Sequence, residues 1–403
     1  MISLEEAQRK VISQIHPLQS FERVSLKEAV GRVLSETIYA ALDQPPFTNS
    51  AMDGFAMRAE DVRDASPECP VTLRVKAFQP AGALPEALPE ASPEAVEIAT
   101  GAPLPLGADA VVMKEHARLR DSEIILERPL SVGENIRQAG ETLVKGTPIF
   151  MAGEKIFANN MGLLASCGLD SLSVVRRPRI VYLATGDEIV GIGQPRGDHQ
   201  IYNSNMPVLR ALFEKEGCTF WDLGISKDSE DELSSKLHKA YDLEPDILVL
   251  TGGVSVGRRD LVKELLEKSG AETLFHKVAM KPGKPILFAK RHETFIFGLP
   301  GNPVSAQVGF YQFVYPAIQK LLNAKNLFLE EEKALLEREI ASQKRHLILI
   351  GLKRKKNGMT TVMPLKEGSG SVSSFSLGNC FISIPTGDQP WGRNTMVGIQ
   401  SYV

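Results

Sequence analysis

Three stretches of the chain share one grammar: an apolar run, a glycine turn carrying polar groups, then a helical pattern. They are RIVYLATGDE (179–188), DILVLTGG (246–253) and TFIFGLPGNP (294–303). A short apolar run ending in glycine reads as a buried strand, here Val181–Ala184, 247–251 and 294–299. Helical patterns are expected over 204–216, 229–242, 260–269 and 303–322. Strands alternating with helices predict a parallel sheet covered by helices on both faces. Ligands of such sheets sit beyond the carboxyl ends of the strands, so all three turns should line one site.

The middle turn continues as GGVSVGRRD, with Gly252 and Gly257 at phosphate-loop spacing. A nucleoside-triphosphatase loop would continue with Lys and then Ser or Thr, to reach phosphate and magnesium. Arg258 and Arg259 follow instead, so that chemistry is excluded. A backbone-lined pocket closed by an acid, Asp260, is what remains.

The rest of the chain is organised differently. Ser3 and Glu6 form a capping box ahead of apolar residues at helical spacing, and Pro17 ends that helix. A helix is expected over 155–167. The Pro- and Ala-rich segment 79–112, with PEA units at 85, 89 and 93, reads as an extended surface loop in a mainly β module. A charged helix is expected over 329–340. Beyond it, Asn357-Gly358 between alternating runs marks a hairpin, and the tail reads as a small β-barrel or sandwich.

At 403 residues two to four domains are expected. A net charge of −3 argues against nucleic acid or an anionic membrane as the main partner. No apolar run is long enough to cross a bilayer as a helix. Four cysteines without C-x-x-C spacing suggest neither a disulfide framework nor a zinc site, and the cytosol is the expected compartment.

Chemistry concentrates at the glycine turns. Asp187 and Glu188 are adjacent, so on an extended segment only one faces the site. Gly252, Gly253 and Ser255 permit close backbone approach to a phosphate. Pro300-Gly301-Asn302-Pro303 opens a helix whose dipole favours an anion. Lys277, Lys281 and Lys284 fall within eight residues, the last two on a Pro-Gly turn. With Glu188 and Asp260, they make a set for a divalent cation and an oxyanion. The seven histidines show no ligand spacing, and KRKK at 353–356 reads as a solvated hairpin tip.

PPFTNSAMDGFAMR (45–58) fits no core strand: Asp53 stands among turn formers and small polar residues. With TGAPLP, GENIRQAGE, ATGDEI, DLGISKD, TGGVSVGRRD, KPGKP, LPGNPVSA and SSFSLGNCFI in that order, the chain resembles the molybdopterin molybdenumtransferases, the MoeA and gephyrin E-domain family. The resemblance covers essentially the whole chain. It implies an enzyme that inserts molybdate, its substrate, into adenylated molybdopterin with Mg2+ and releases AMP. It also implies a homodimer whose active sites are shared between subunits.

By the same resemblance, Glu188 and Asp260 look like magnesium-side carboxylates, and Asp53 and Asp228 like further catalytic acids. Lys281, Lys284 and Pro285, with Lys277 beside them, look like the molybdate pocket. Gly252, Gly253, Ser255, Pro300, Gly301 and Asn302 would cradle phosphates. Thr100 joins Asp53 from the β-rich module, and Ser369 is a candidate hydroxyl donor. The implied fold is multidomain α/β plus β. It has an elongated split domain (1–24 and 141–176), an inserted β-rich domain (25–140), a three-layer α/β domain (177–326) and a C-terminal β-barrel-like domain (327–403). The chain departs from the family pattern at Thr142, where an acid is common, and at Ile350, where an arginine would contact the oxyanion. Arg345 and Arg354 are the nearest replacements for that arginine. The same fold could also serve as a non-catalytic carrier or scaffold. The intact Asp53, Glu188, Asp228 and Asp260 favour the enzyme.

Overall fold

The computed structural model describes residues 1–88, 93–254, 261–356, 358–365 and 373–402. Ser255, Asp260, Asn357 and Ser369 lie outside the described residues. The chain divides into two compact units. One joins Met1–Glu36, Gly153–Ala158 and Ser171–Val403; the other joins Thr37–Ala152 and Asn159–Asp170.

The first unit is built on a six-stranded sheet. Its order is Thr219–Ser226, Arg179–Thr185, Ile247–Thr251, Thr294–Leu299, Leu287–Arg291, Glu272–His276. The first four strands are parallel, as the alternation of strands and helices predicts. The last two run antiparallel to their neighbours, which corrects the expectation of a wholly parallel sheet. Only His292 and Glu293 join Leu287–Arg291 to Thr294–Leu299, far too short a link for a parallel crossover.

Alternate residues of each strand feed opposite faces. Tyr182, Val249 and Phe297 join one core with Leu209 and Phe213 of the helix Asn205–Lys215. Leu183, Leu250 and Ile296 join the other with Leu233, Leu237 and Val262 from the helices Glu230–Asp242 and Leu261–Lys268. Helices therefore cover both faces. The expected helix 303–322 spans Pro303–Leu321, with a π-turn at Phe310–Val314. The first helix, Leu4–Gln14, is capped by Ser3, whose Oγ accepts the Glu6 N–H at 3.1 Å.

The expected charged helix at 329–340 is instead a strand, Glu331–Leu336. Its inward residues Ala334 and Leu336 alternate with outward ones, and pairing with Met396–Ser401 outweighs the helix propensity of a Glu-rich run. Together with His346–Lys356, Met359–Pro364 and Cys380–Ile384 these strands close a five-stranded barrel. The strands His346–Lys356 and Met359–Pro364 pair antiparallel, with Lys356 opposite Met359.

The second unit carries a mixed six-stranded sheet, ordered Ala110–Met113, Gly54–Met57, Glu94–Ile98, Val71–Gln79, Glu123–Leu126, Arg118–Arg120. The segment expected as a surface loop therefore contains two strands. The third PEA unit opens one of them, with Ala95, Val96 and Ile98 buried. The helix expected at 155–167 shortens to Met161–Ser166, because Lys155 bridges Val33 and Ile156 bonds Arg32.

Candidate functional site

Strand register sets the site. Ala184 lies opposite Thr251, and Thr251 opposite Leu299, so three parallel strands end level and their glycine turns stand side by side. The Gly252 N–H donates to Leu299 O at 3.1 Å. Gly252 has φ +88, and a Cβ there would fall 2.1 Å from Thr185 O. No other residue fits.

The turns line a cavity of about 340 Å³ with Glu188, Tyr202, Asn203, Asn205, Gly252, Gly253, Pro300, Gly301 and Asn302. Asp187 and Glu188 occupy a turn, not an extended segment, yet they do diverge. Glu188 faces the cavity, while Asp187 Oδ1 accepts the Asp228 N–H at 3.3 Å. Asp228 is also held by the Thr185 hydroxyl at 2.6 Å. The Glu188 carboxylate has no hydrogen-bond or ion-pair partner among the described residues. A carboxylate beside backbone groups is an oxygen donor of the kind a hard cation takes. Among the described residues no group of three His, Cys, Asp or Glu could hold a metal; Asp260 is outside them.

Sequence reasoning missed the polar wall behind this cavity. Asn205 Nδ2 donates to Gly301 O at 2.8 Å, and Asn203 Oδ1 caps the Met206 N–H at 3.2 Å. Tyr182 bridges Asn203 and Thr251, with 2.6 Å to Thr251 Oγ1. Burial pushes the Tyr182 phenol up to about 12, so it serves as a hydrogen-bonding strut and not as an acid. The NSN run at 203–205 beside a helix start was the available signal.

A second cavity of about 450 Å³ shares Pro285 and Asn302 with the first. Lys281, Lys284 and Arg345 line it, together with Ser305 and apolar residues including Met280, Leu347 and Leu349. None of these three cations has a hydrogen-bond or ion-pair partner among the described residues. Its two walls are stitched by strand pairing, Met280 with His346 and Lys281 with Leu347. Ile350 is fully buried in the barrel wall, whereas Arg345 supplies a guanidinium to the cavity. Lys277 lines neither cavity; it has φ +78, and its N–H donates to Ile286 O at 2.9 Å.

In the second unit, Asp53 and Thr100 are in direct contact. Asp53 Oδ1 accepts the Thr100 N–H at 2.7 Å and its hydroxyl at 2.9 Å. These bonds hold the Asp53 carboxyl below its usual range, the backbone N–H contributing most.

Three family models match in chain order: the MoeA N-terminal region (domain I and II) over 2–168, a probable molybdopterin binding domain over 181–320, and the MoeA C-terminal region (domain IV) over 333–399. A molybdopterin molybdenumtransferase of Staphylococcus aureus (strain MRSA252) is 33% identical over 99% of this chain and 95% of its own. The chain belongs to the MoeA family. A Haemophilus influenzae relative of the same name is 39% identical over 81% of this chain and 79% of its own. The crystal structure of the molybdopterin biosynthesis moeA protein from Pyrococcus horikoshii OT3 superposes with a TM-score of 0.84 at 31% identity, over all of both chains. This MoeA-family chain is accordingly an enzyme, a transferase of molybdenum cofactor biosynthesis.

Proposed function

We propose that the chain inserts molybdate into adenylated molybdopterin and releases AMP, with Mg2+, as a cytoplasmic homodimer with shared active sites. One observation carries this reading: two cavities abut at Pro285 and Asn302, one made of glycine turns and the Glu188 carboxylate, the other lined by three cations, all four side chains without a partner among the described residues. An anhydride and an oxyanion held at such a junction are within reach of each other. The relatives' name, molybdopterin molybdenumtransferase, supports the same pairing of substrates.

In this reading the level glycine turns and the start of the helix at Pro303 bind the phosphates through backbone N–H groups. Lys281, Lys284 and Arg345 bind molybdate by charge-assisted hydrogen bonds within a partly apolar wall, which excludes competing water. Glu188 and Asp260 would hold magnesium, which when bound would neutralise charge on the anhydride. Asp228, braced by Thr185 and Asp187, and Asp53, braced by Thr100, orient the reactants. The remaining assignments, Ser255 to the phosphates and Ser369 as hydroxyl donor, belong to the same reading, with Lys277 outside the lining of the oxyanion cavity. So does the four-module division given above.

The test is AMP release from adenylated molybdopterin by the purified chain. AMP that depends on both molybdate and Mg2+, appearing with active molybdenum cofactor, is the expected outcome. Tight pterin binding without AMP would overturn the insertase reading. Mixing Asp53→Asn with Glu188→Gln subunits should restore part of the activity if sites are shared; no recovery would exclude sharing.

A further inference from the structure

The opposite, amino-terminal edge of the same sheet carries a second charged cleft, and nothing in the insertase reading uses it. Strand Arg179–Thr185 separates the two edges by roughly 20 Å at about 3.3 Å per residue. The cleft encloses about 730 Å³, and five arginines line it against two glutamates. Arg23 comes from the strand Phe21–Ser25, Arg32 from the turn after it, and Arg176, Arg177 and Arg179 from the RRPR entry to the sheet.

The five are not equivalent. Arg32 is buried and spent on Glu22 and the Val175 carbonyl. Arg176 is spent on Asp246, in two bonds of 2.7 and 2.8 Å. Among the described residues the other three keep unused donors. Arg23 gives only its Nε, to the Ser171 hydroxyl, and Arg177 gives one nitrogen to Gly217 O. Arg179 has only the exposed Glu244, at 3.7 Å, and its Nε is buried without a hydrogen-bond partner. Glu28, the remaining acid of the lining, is held by the Ser25 hydroxyl at 2.7 Å. Three guanidiniums against Glu28 of the lining and the exposed Glu244 leave a net positive cleft, with half-buried Trp221 in its lining.

Charges of one sign gathered in a concave site repel unless an anion joins them. Guanidinium forks match phosphate oxygens bidentately. We propose that this cleft is a second anion site, which takes the phosphate of a nucleotide-sized metabolite on Arg23, Arg177 and Arg179. Its volume is that of a small-molecule pocket, and Trp221 offers a planar group an apolar face.

The test uses inorganic phosphate as the probe, at low ionic strength, on the full chain carrying Lys281→Ala and Lys284→Ala to remove the lysine charge at the other edge. Calorimetric titration should show a saturable event with Kd below about 1 mM, told apart from phosphate on the glycine turns because the arginine substitutions leave those turns untouched. Adding Arg177→Gln and Arg179→Gln should weaken it at least tenfold, with AMP likewise losing its quench of Trp221 fluorescence. Arg23→Gln alone, which gives up only the bond to Ser171, should weaken it several-fold, and that variant decides the matter if the double arginine variant does not fold. No event in the lysine-substituted chain, or an affinity untouched by the arginine substitutions, overturns the proposal.

Discussion

The two abutting cavities at the carboxyl edge solve different problems with different materials. The first is made of backbone: level strand ends, glycines that admit no side chain, and asparagines that tie the turns to the helix Asn205–Lys215. The second is made of side chains: two lysines and an arginine with no hydrogen-bond or ion-pair partner among the described residues. Shape in the first cavity is therefore inseparable from folding. Charge in the second is nearly independent of it.

That contrast can be broken most forcefully at Gly252. Its alanine variant places a methyl 2.1 Å from Thr185 O at φ +88, and should cost roughly 3–5 kcal/mol. Differential scanning calorimetry should show melting lowered by about 10 °C. Unchanged melting would mean that the turn is adaptable and the contrast false. In the second cavity Lys281→Ala with Lys284→Ala should leave melting unchanged. The molybdate concentration for half-maximal activity should rise about 10–100-fold, as expected when charge-assisted bonds to a dianion are lost. Arg345→Ala sharpens the same point. It should raise that concentration several-fold, and an effect as small as that of Arg354→Ala would remove Arg345 from the pocket.

The smallest expected effect lies in the second unit. Thr100→Val deletes one of the two bonds to Asp53, so the Asp53 carboxyl should move up toward its ordinary 3.8 in a carbon-detected NMR titration. The native depression favours the ionised form. Whatever stability it brings is present above the ordinary carboxylate pKa and fades as pH falls through the lower folded value.

How legible the molecule was from sequence follows the same division. Three apolar runs ending in glycine announced the sheet edge, because buried parallel strands and tight turns leave compositional marks. The antiparallel hairpin at 287–299 escaped, since its apolar residues look like any buried strand and the two-residue turn His292-Glu293 has no glycine. Glu331–Leu336 was misread because local propensity carries no information about barrel pairing. Of the site, glycines and lysines were readable as motifs. Asn203, Asn205 and Ser305 were not, because Tyr182, Gly301 and the lysine turn that they face lie on other segments of the chain.

The pairing of Met280–Lys281 with His346–Leu347 has a consequence for building hybrids of related chains. A crossover placed between Lys284 and Arg345 would inherit the lysine wall of the oxyanion cavity from one parent and the arginine wall from the other. Exchanging the C-terminal barrel is therefore never a neutral graft: it rewrites half of a binding surface whose other half lies about sixty residues upstream.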